Sequence, residues 1–460
     1  LVAAARNIAH CAVDNPAGMF FHVDDHGRVV VASDPRSVVE SVGGRWELDH
    51  EWLADWILGQ ASPAESPFRG LRRLLPGQSL QARVDGRVKV SDSSGPDVWA
   101  EPDLSGVEAE EAFREAFEVA IRRVATAEDV LTASLSGGLD SGYMVTRLAA
   151  HTYPVQRIVG FTAVPDPAAV MPELAAASTD EPEARLLAGL LGVNLRTVVS
   201  SHCGSPLQVA SALSAEAWWP VFGPSNLPWV AKIRSQAADA GGAFLLAGAH
   251  GNASFSFHHG YAATRRRRLG RLRRRFRPSA APEPSPYLAE APSPRSRDPR
   301  RAYLTWLAGH DHPHYAFDNP AAFPIPIRDP FRDPDVIAVA ARIRPEAWLR
   351  DGVTRGFARS VAAGVLPDTI RLRTLRGAQA PDIWAAMSGQ RSDYLEQVDR
   401  LDDTLVLRDL IRIGDLRGTV TAWSWGTPEP PPLFETAHIN RILAFGQFIR
   451  DSERRLAALN

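Results

Sequence analysis

The chain is poor in the residues that would commit it to a special environment. Its 460 residues include two cysteines, Cys11 and Cys203, too few for a disulfide framework or a zinc cluster, as suits a reducing cytoplasm. No apolar run approaches the roughly 20 residues that span a bilayer, and no signal peptide is visible. Excess charge of one sign is missing too. A formal net charge of −2 gives no general pull toward nucleic acid or membrane. There is no internal repeat. Position 1 is Leu rather than Met, which leaves room for an incomplete first domain. What remains is the composition of an ordinary globular protein, long enough for two domains.

Residues 1–98 read as β-rich. "GMFFHVDDHGRVVVAS" is two apolar strands around Asp24-Asp25-His26-Gly27, a hairpin signal. His50 to Leu58 has helical spacing, and "LRRLLPGQSLQARVDGRVKV" is a further strand pair. Residues 99–460 change character. After a helix from about Val107 to Val124, short apolar strands ("VLTASL", "QRIVGFTAV", "NLRTVVS", "GAFLLAGA") alternate with helices (Gly142 to Ala150, "DEPEARLLAGLLG", Ala210 to Trp218). That alternation predicts an α/β fold, a parallel sheet with helices on both faces. Amphipathic helices dominate from residue 331. Residues 265–300 combine "RRRRLGRLRRRFR" with a Pro-, Ser- and Ala-rich stretch and read as a mobile surface excursion. The arginine run reads as a solvated face or arm. Docking of nucleic acid, acidic lipid or an acidic partner is the alternative, and the near-neutral total speaks against nucleic acid.

Ligands of such sheets sit beyond the carboxyl ends of the strands, where "VLTASLSGGLDSGYM" places the loop Ser136-Gly137-Gly138-Leu139-Asp140-Ser141. Glycines let backbone N–H groups crowd an anion. The following helix points its positive end there, and two serines add hydroxyls. Together they make a polyanion cradle. Asp140 fits it if a Mg²⁺ sits between carboxylate and phosphate. There is no "GK[ST]", so the loop is not a Walker A. The bland alternative is a Gly-rich turn between strand and helix.

"LSGGLDS" resembles the pyrophosphate loop of the N-type ATP pyrophosphatases, in particular the asparagine synthetase superfamily. "TDEPEARLLAGLLG" looks like that family's "DExxxA" helix. "FLLAGAHGN" stands at its second ATP turn, and "RDPFRDPDVIAVAARIRP" and "GVTRGFARSVAAGVLPDTIRLRTLRGAQAPD" resemble its C-terminal helices. The N-terminal region looks like a degenerate glutamine-amidotransferase-type domain. The resemblance implies that ATP and Mg²⁺ are used to activate a carboxylate as acyl-AMP, and that an amine then forms an amide. It implies nucleotide contacts at Leu135, Ser136, Gly137, Gly138, Leu139, Asp140, Ser141, Phe161, Ala247 and Gly248. The metal ligands it implies are Asp140, Asn252 in place of the usual Asp, and Glu181. Asp180 and Glu181 open a helix, where acids are favourable in any case, and the resemblance implies a role for both near ATP or Mg²⁺.

Departures from the pattern narrow the substrate. Ala249 replaces the Glu of asparagine synthetases and the Tyr of β-lactam synthetases. Leu375 stands where a Lys grips the intermediate, so Arg376 or Arg373 would supply the charge. Neither cysteine opens the chain, so the amine is expected from a source other than glutamine hydrolysis. "GxxGN", Arg376-Gly377-Ala378-Gln379 and the decayed first domain look most like lasso-peptide cyclases, which join a peptide's N-terminal amine to an internal Asp or Glu side chain. That resemblance implies a precursor core peptide as substrate, with a leader-binding protein and a leader peptidase as partners. Closing a ring of about eight residues demands a pre-folded substrate, hence a large cavity beside the ATP loop, with Glu216 to Trp229 as a candidate wall. His250 is a candidate proton acceptor. His258, His259, Trp219 and Arg373 are candidate substrate contacts, against surface histidines and core packing of the tryptophans. A small-molecule amide or β-lactam synthetase, and an inactive ATP-loop scaffold, are the other readings.

Overall fold

The computed structural model describes residues 2–5, 8–12, 18–59, 61–75, 78–83, 87–92, 102–125, 128–152, 157–169, 179–256, 287, 322–348, 354–374, 377 and 379–459. Strands β1 (Val2–Ala5), β2 (Ile8–Ala12), β3 (Met19–Val23), β4 (Val29–Ala32), β5 (Arg72–Leu74), β6 (Gln78–Arg83) and β7 (Val88–Asp92) form two small antiparallel sheets, ordered β1-β2-β6-β7 and β4-β3-β5. The β3–β4 hairpin closes on Asp24, whose Oδ1 accepts from the amides of His26 (3.0 Å) and Arg28 (2.8 Å), an Asp side chain mimicking a backbone turn. Two helices follow the hairpin, α1 (Pro35–Val42) and α2 (His50–Ile57), each begun by an aspartate that accepts from the amide three residues on: Asp34 from Ser37 (2.8 Å) and Asp49 from Trp52 (3.0 Å). Such caps satisfy amides that the helix leaves open.

The larger part is the α/β unit. Strands β8 (Val130–Ser134), β9 (Arg157–Val164), β10 (Asn194–Val199), β11 (Leu245–Leu246) and β12 (Ile327–Arg328) form a parallel sheet ordered β10-β9-β8-β11-β12. Side chains of β8 alternate between two cores, as strand geometry requires. Leu131 and Ala133 pack with α3 (Gly106–Val124), α4 (Leu139–His151) and α5 (Glu181–Leu191). Val130 joins Phe161 of β9 and, on the opposite face, Ile233 and Ala237. Two helices, α6 (Pro206–Ala217) and α7 (Leu227–Asp239), follow β10, and α7 supplies Ile233 and Ala237. Thr132, fully buried, has its hydroxyl satisfied by the Phe244 carbonyl. Three further helices, α8 (Pro334–Arg342), α9 (Gly356–Val361) and the 27-residue α10 (Leu433–Leu459), belong to the helical C-terminal part. Among the described residues no helix is long and apolar enough to cross a membrane.

The expected strand over "GAFLLAGA" shortens to Leu245–Leu246, because Gly248 already belongs to a turn packed on the helix after β8. The helix expected from Gly142 begins at Leu139. Most of the segment 265–300 lies outside the described residues. Tyr287 within it is buried, and its carbonyl accepts from the amide of Arg412 (2.8 Å), which pins the chain there.

Among the described residues the largest core joins the β4-β3-β5 sheet, α1 and α2 to the C-terminal helices. Trp218, at the end of α6, adopts φ +51°, and the reversal sends two consecutive tryptophans inward. Trp218 lies 5.7 Å from the Phe68 ring. Trp219 has no exposed surface and sits between Phe20 (5.7 Å) and Trp52 (5.2 Å, edge on). Trp56 stacks on Phe445 of α10 at 4.5 Å. Trp218 and Trp219 are therefore core, not the wall of an open cavity. Trp219→Ala is expected to cost about 3–5 kcal/mol of folding stability, read as a lowered midpoint in urea unfolding.

Helix α4, which carries the Ser136 loop, is fastened to α3 by charge. Glu118 accepts from both Arg147 and His151. Burial pushes the Glu118 carboxyl up, but the hydrogen bonds from Arg147 and then His151 outweigh it and hold it below the ordinary glutamate value. A lowered folded-state value means that stability is full above the ordinary value and is lost as the pH falls through the folded one. Wild type is thus expected to exceed Glu118→Gln in stability at neutral pH and to converge with it in acid, as pH-dependent urea titrations would show.

Candidate active site

Strand β8 is central in its sheet, and its carboxyl end leads straight into the Ser136 loop. The Leu135 amide donates to the Phe161 carbonyl (2.8 Å), extending the β8–β9 register past the last strand residue. The chain then turns into α4 with Gly138 at the N-cap, a residue with no side chain to take the first amides of the helix. The loop is zipped by its own hydroxyls. Ser136 Oγ and Ser141 Oγ are 2.8 Å apart, and Ser141 Oγ accepts from the Ser136 amide (3.1 Å) and donates to the Ser136 carbonyl (3.1 Å). The two serines read as phosphate donors thus first fix the loop's shape.

Two neighbours close on this loop where side chains are absent. A Cβ on Gly137 would lie 2.5 Å from Glu183 Cβ and 2.7 Å from the Asp180 carbonyl oxygen, so the first turn of α5 packs directly on the loop. A Cβ on Gly251 would lie 2.8 Å from both Cβ and Oδ1 of Asp140. The turn Ala247–Asn252 therefore sits against Asp140 and Ser141. It is held by β12: the Ala247 amide donates to Arg328 O (2.9 Å), and Asp329 accepts from the His250 amide (2.7 Å) and the Phe331 amide (3.0 Å). His250 is 3% exposed, with its side chain inside this junction. Asn252 Nδ2 donates to the Ala249 carbonyl (3.2 Å), and Ala249 is exposed.

The residues expected at the site fall into three groups. Leu135 to Ser141, Ala247, Gly248, His250 and Asn252 come together, with Leu135 and Leu139 as buried supports. Arg373 joins them through α5: its Nη1 donates to Asp180 Oδ1 (2.6 Å), and its Nε lies 3.3 Å from Glu183 Oε1. Three others turn away. Glu181 pairs with Arg185 one turn on, the Phe161 side chain is buried in the sheet's second core, and Trp219 is buried against Phe20 and Trp52. His258, His259 and Arg376 lie outside the described residues. The chain's lysines are Lys89, in β7, and Lys232, in α7. Asp180 was expected here together with Glu181, whereas Glu183, Asp329 and Asp382 were not singled out as site residues. For Glu183 a signal existed: positions 180 and 183, i and i+3, share a helix face, whereas 181 and 185 share another.

The family model for asparagine synthase matches residues 112–412, more than half of the chain. The protein belongs to the asparagine synthase family. Members of this family are ATP-using ligases, and this member is accordingly an ATP-dependent carbon–nitrogen ligase. No curated protein matches its sequence. Among solved structures, the U34-tRNA thiolase NcsA from Methanococcus maripaludis with its 4Fe-4S cluster aligns with 61% of this chain and 89% of its own, at 9% identity and a TM-score of 0.25. A superposition that loose carries no argument about the site.

Gly137→Ala is expected to force α5 off the loop and to lower ATP-dependent turnover by about 100-fold, since small displacements at a reacting centre have costs of that order. Initial-rate kinetics beside a thermal melt would separate this from unfolding.

Proposed function

We propose that this ligase is a lasso-peptide cyclase. It adenylates an Asp or Glu side chain of a leader-free core peptide with release of pyrophosphate. The peptide's own N-terminal amine then displaces AMP and closes a macrolactam. The observation that carries this reading is Ala249, exposed on the turn that packs against Asp140. Related synthetases that must handle the proton of the amine carry Glu or Tyr there, and a methyl group can do neither. A peptide α-amine has an ordinary pKa of about 7.7–8.0, so a fraction of it is already neutral at about pH 7.5 and can attack unaided; the proton it loses as the amide forms passes to solvent or to the departing AMP.

The cradle supplies the other half of the chemistry. The Ser136 and Gly138 amides are held inside the loop by Ser141 Oγ (3.1 Å) and Ser136 Oγ (3.3 Å), so the Gly137 amide and the amides at the start of α4 are the donors that suit the diphosphate of ATP. Donors fixed in advance where charge develops contribute strongly to catalysis. The donor set also fits Mg²⁺. Without a Cβ on Gly251 the second turn reaches the Asp140 carboxylate, and Asn252 on that turn brings an amide oxygen. Carboxylate and amide oxygens are the hard ligands magnesium takes, with water and phosphate completing its shell. A bound Mg²⁺ would neutralise charge on the departing diphosphate. A leader-binding protein, a leader peptidase and a cytoplasmic setting belong to the same proposal.

The test is incubation with ATP, Mg²⁺ and a candidate core peptide, followed by mass spectrometry. Loss of one water from the peptide, matched by AMP and pyrophosphate, is expected. AMP formation with only a small acid and amine would replace the cyclase reading by a small-molecule synthetase. Asp140→Ala is expected to lower AMP formation by about 100-fold or more, and wild-type rates in that variant would remove Asp140 from the reaction.

A further inference from the structure

The described residues of segment 371–382, namely 371–374, 377 and 379–382, are tied down from several sides. Arg359 of α9 is 8% exposed and donates to the carbonyls of Thr354 (3.3 Å), Arg371 (2.7 Å) and Arg373 (2.9 Å). At the far end Asp382, 1% exposed, accepts from the amides of Asp166 and Ser201 (2.9 Å each) and from the Ser200 hydroxyl. These partners lie just past the ends of β9 and β10. Gln379 Oε1 accepts from Asn226 (2.9 Å). Between these ties a single carboxylate oxygen, Asp180 Oδ1, accepts from both Arg373 Nη1 (2.6 Å) and the Gly377 amide (3.0 Å). The Arg373 guanidinium also reaches Thr179 O (3.4 Å) and Glu183 (3.3 Å).

The same Asp180 meets the Ser136 loop by its backbone, with its carbonyl oxygen 2.7 Å from where a Gly137 Cβ would stand. One residue thus touches the cradle with its main chain and clasps segment 371–382 with its side chain. The charge on Arg373 is compensated by Asp180 and Glu183, so this guanidinium serves as a strut and is not free to grip an anionic intermediate. Charge-assisted bonds to a carboxylate are short and directional, so a shift of the α5 terminus moves both Arg373 and Gly377.

We propose that Asp180 is a positioning residue: it couples the nucleotide cradle to segment 371–382, so that the two sides of the active site are set together when ATP binds. The inference rests on the nucleotide reading given above. Arg359 serves the same end by fixing the carbonyls that precede the clasp.

Hydrogen-exchange mass spectrometry and kinetics test it on the full chain. In wild type, Mg·ATP is expected to slow exchange over 371–382 by about tenfold or more. In Asp180→Asn, with ATP still bound by calorimetry, that slowing is expected to disappear. Asp180→Asn and Arg373→Gln should each lower kcat by about 10- to 100-fold with KM for ATP little changed. The double variant should fall within about twofold of the worse single variant, because both remove one linkage. Arg373→Lys should recover part of the loss. Should Asp180→Asn melt early, Arg373→Gln alone must reduce the ATP-induced protection, the Gly377 amide being the tie that remains. Multiplying losses in the double variant, or ATP-induced protection retained in full in either single variant, would overturn the proposal. Wild type that binds no ATP at all would instead sink the nucleotide reading and this coupling with it, a result distinct from ATP binding with the clasp irrelevant.

Discussion

Close approach of neighbouring chain to two glycines is the constraint on which this site depends. Three separate pieces of chain converge on the loop after β8: the first turn of α5, the turn after β11 and, through Asp180, segment 371–382. They can do so because Gly137 and Gly251 put no carbon where Glu183 and Asp140 stand. A methyl group at either position would lie well inside contact distance, and packed interiors have little slack to absorb it.

Carboxylates do much of the remaining positioning. Asp180, Asp329 and Asp382 each accept at least two hydrogen bonds that include main-chain amides, and each joins chain segments that are distant in sequence. Their partners lie along one edge of the parallel sheet, the edge at which ligands of such folds bind. The scaffold beneath is apolar and the ties above it are charged. The cores on the two faces of the sheet hold β8 in place, and the carboxylates decide how the loops at its end face one another.

Much of the fold was legible. The β3–β4 hairpin, the helix after residue 105 and the strands β8 to β10 follow directly from apolar alternation and turn residues. β12 was not legible, because Pro324, Pro326 and Pro330 around "IPIRDP" read as loop, although prolines are tolerated at a sheet's edge, where β12 lies. The cradle was legible because its chemistry is local: glycines, hydroxyls and an acid within six residues. The assignment of α5 was harder. Glu181 looked equivalent to its acidic neighbours, but helix geometry turns it to Arg185 and leaves Asp180 and Glu183 at the loop. Trp219 was offered as a substrate wall, and long-range packing against Phe20 and Trp52 claimed it for the core. Contacts of that kind join the two ends of the chain, and no local pattern announces them.

The central claim is that the amides around residues 136–141 hold the diphosphate of ATP. Competition calorimetry addresses it most directly: ATP titrated into the full chain with Mg²⁺, with and without saturating inorganic pyrophosphate. Occupation of one cradle by both predicts that pyrophosphate weakens apparent ATP affinity in proportion to its concentration, while AMP, which lacks that diphosphate, binds far less tightly than ATP. ATP binding unmoved by pyrophosphate, or matched by AMP, would contradict the account.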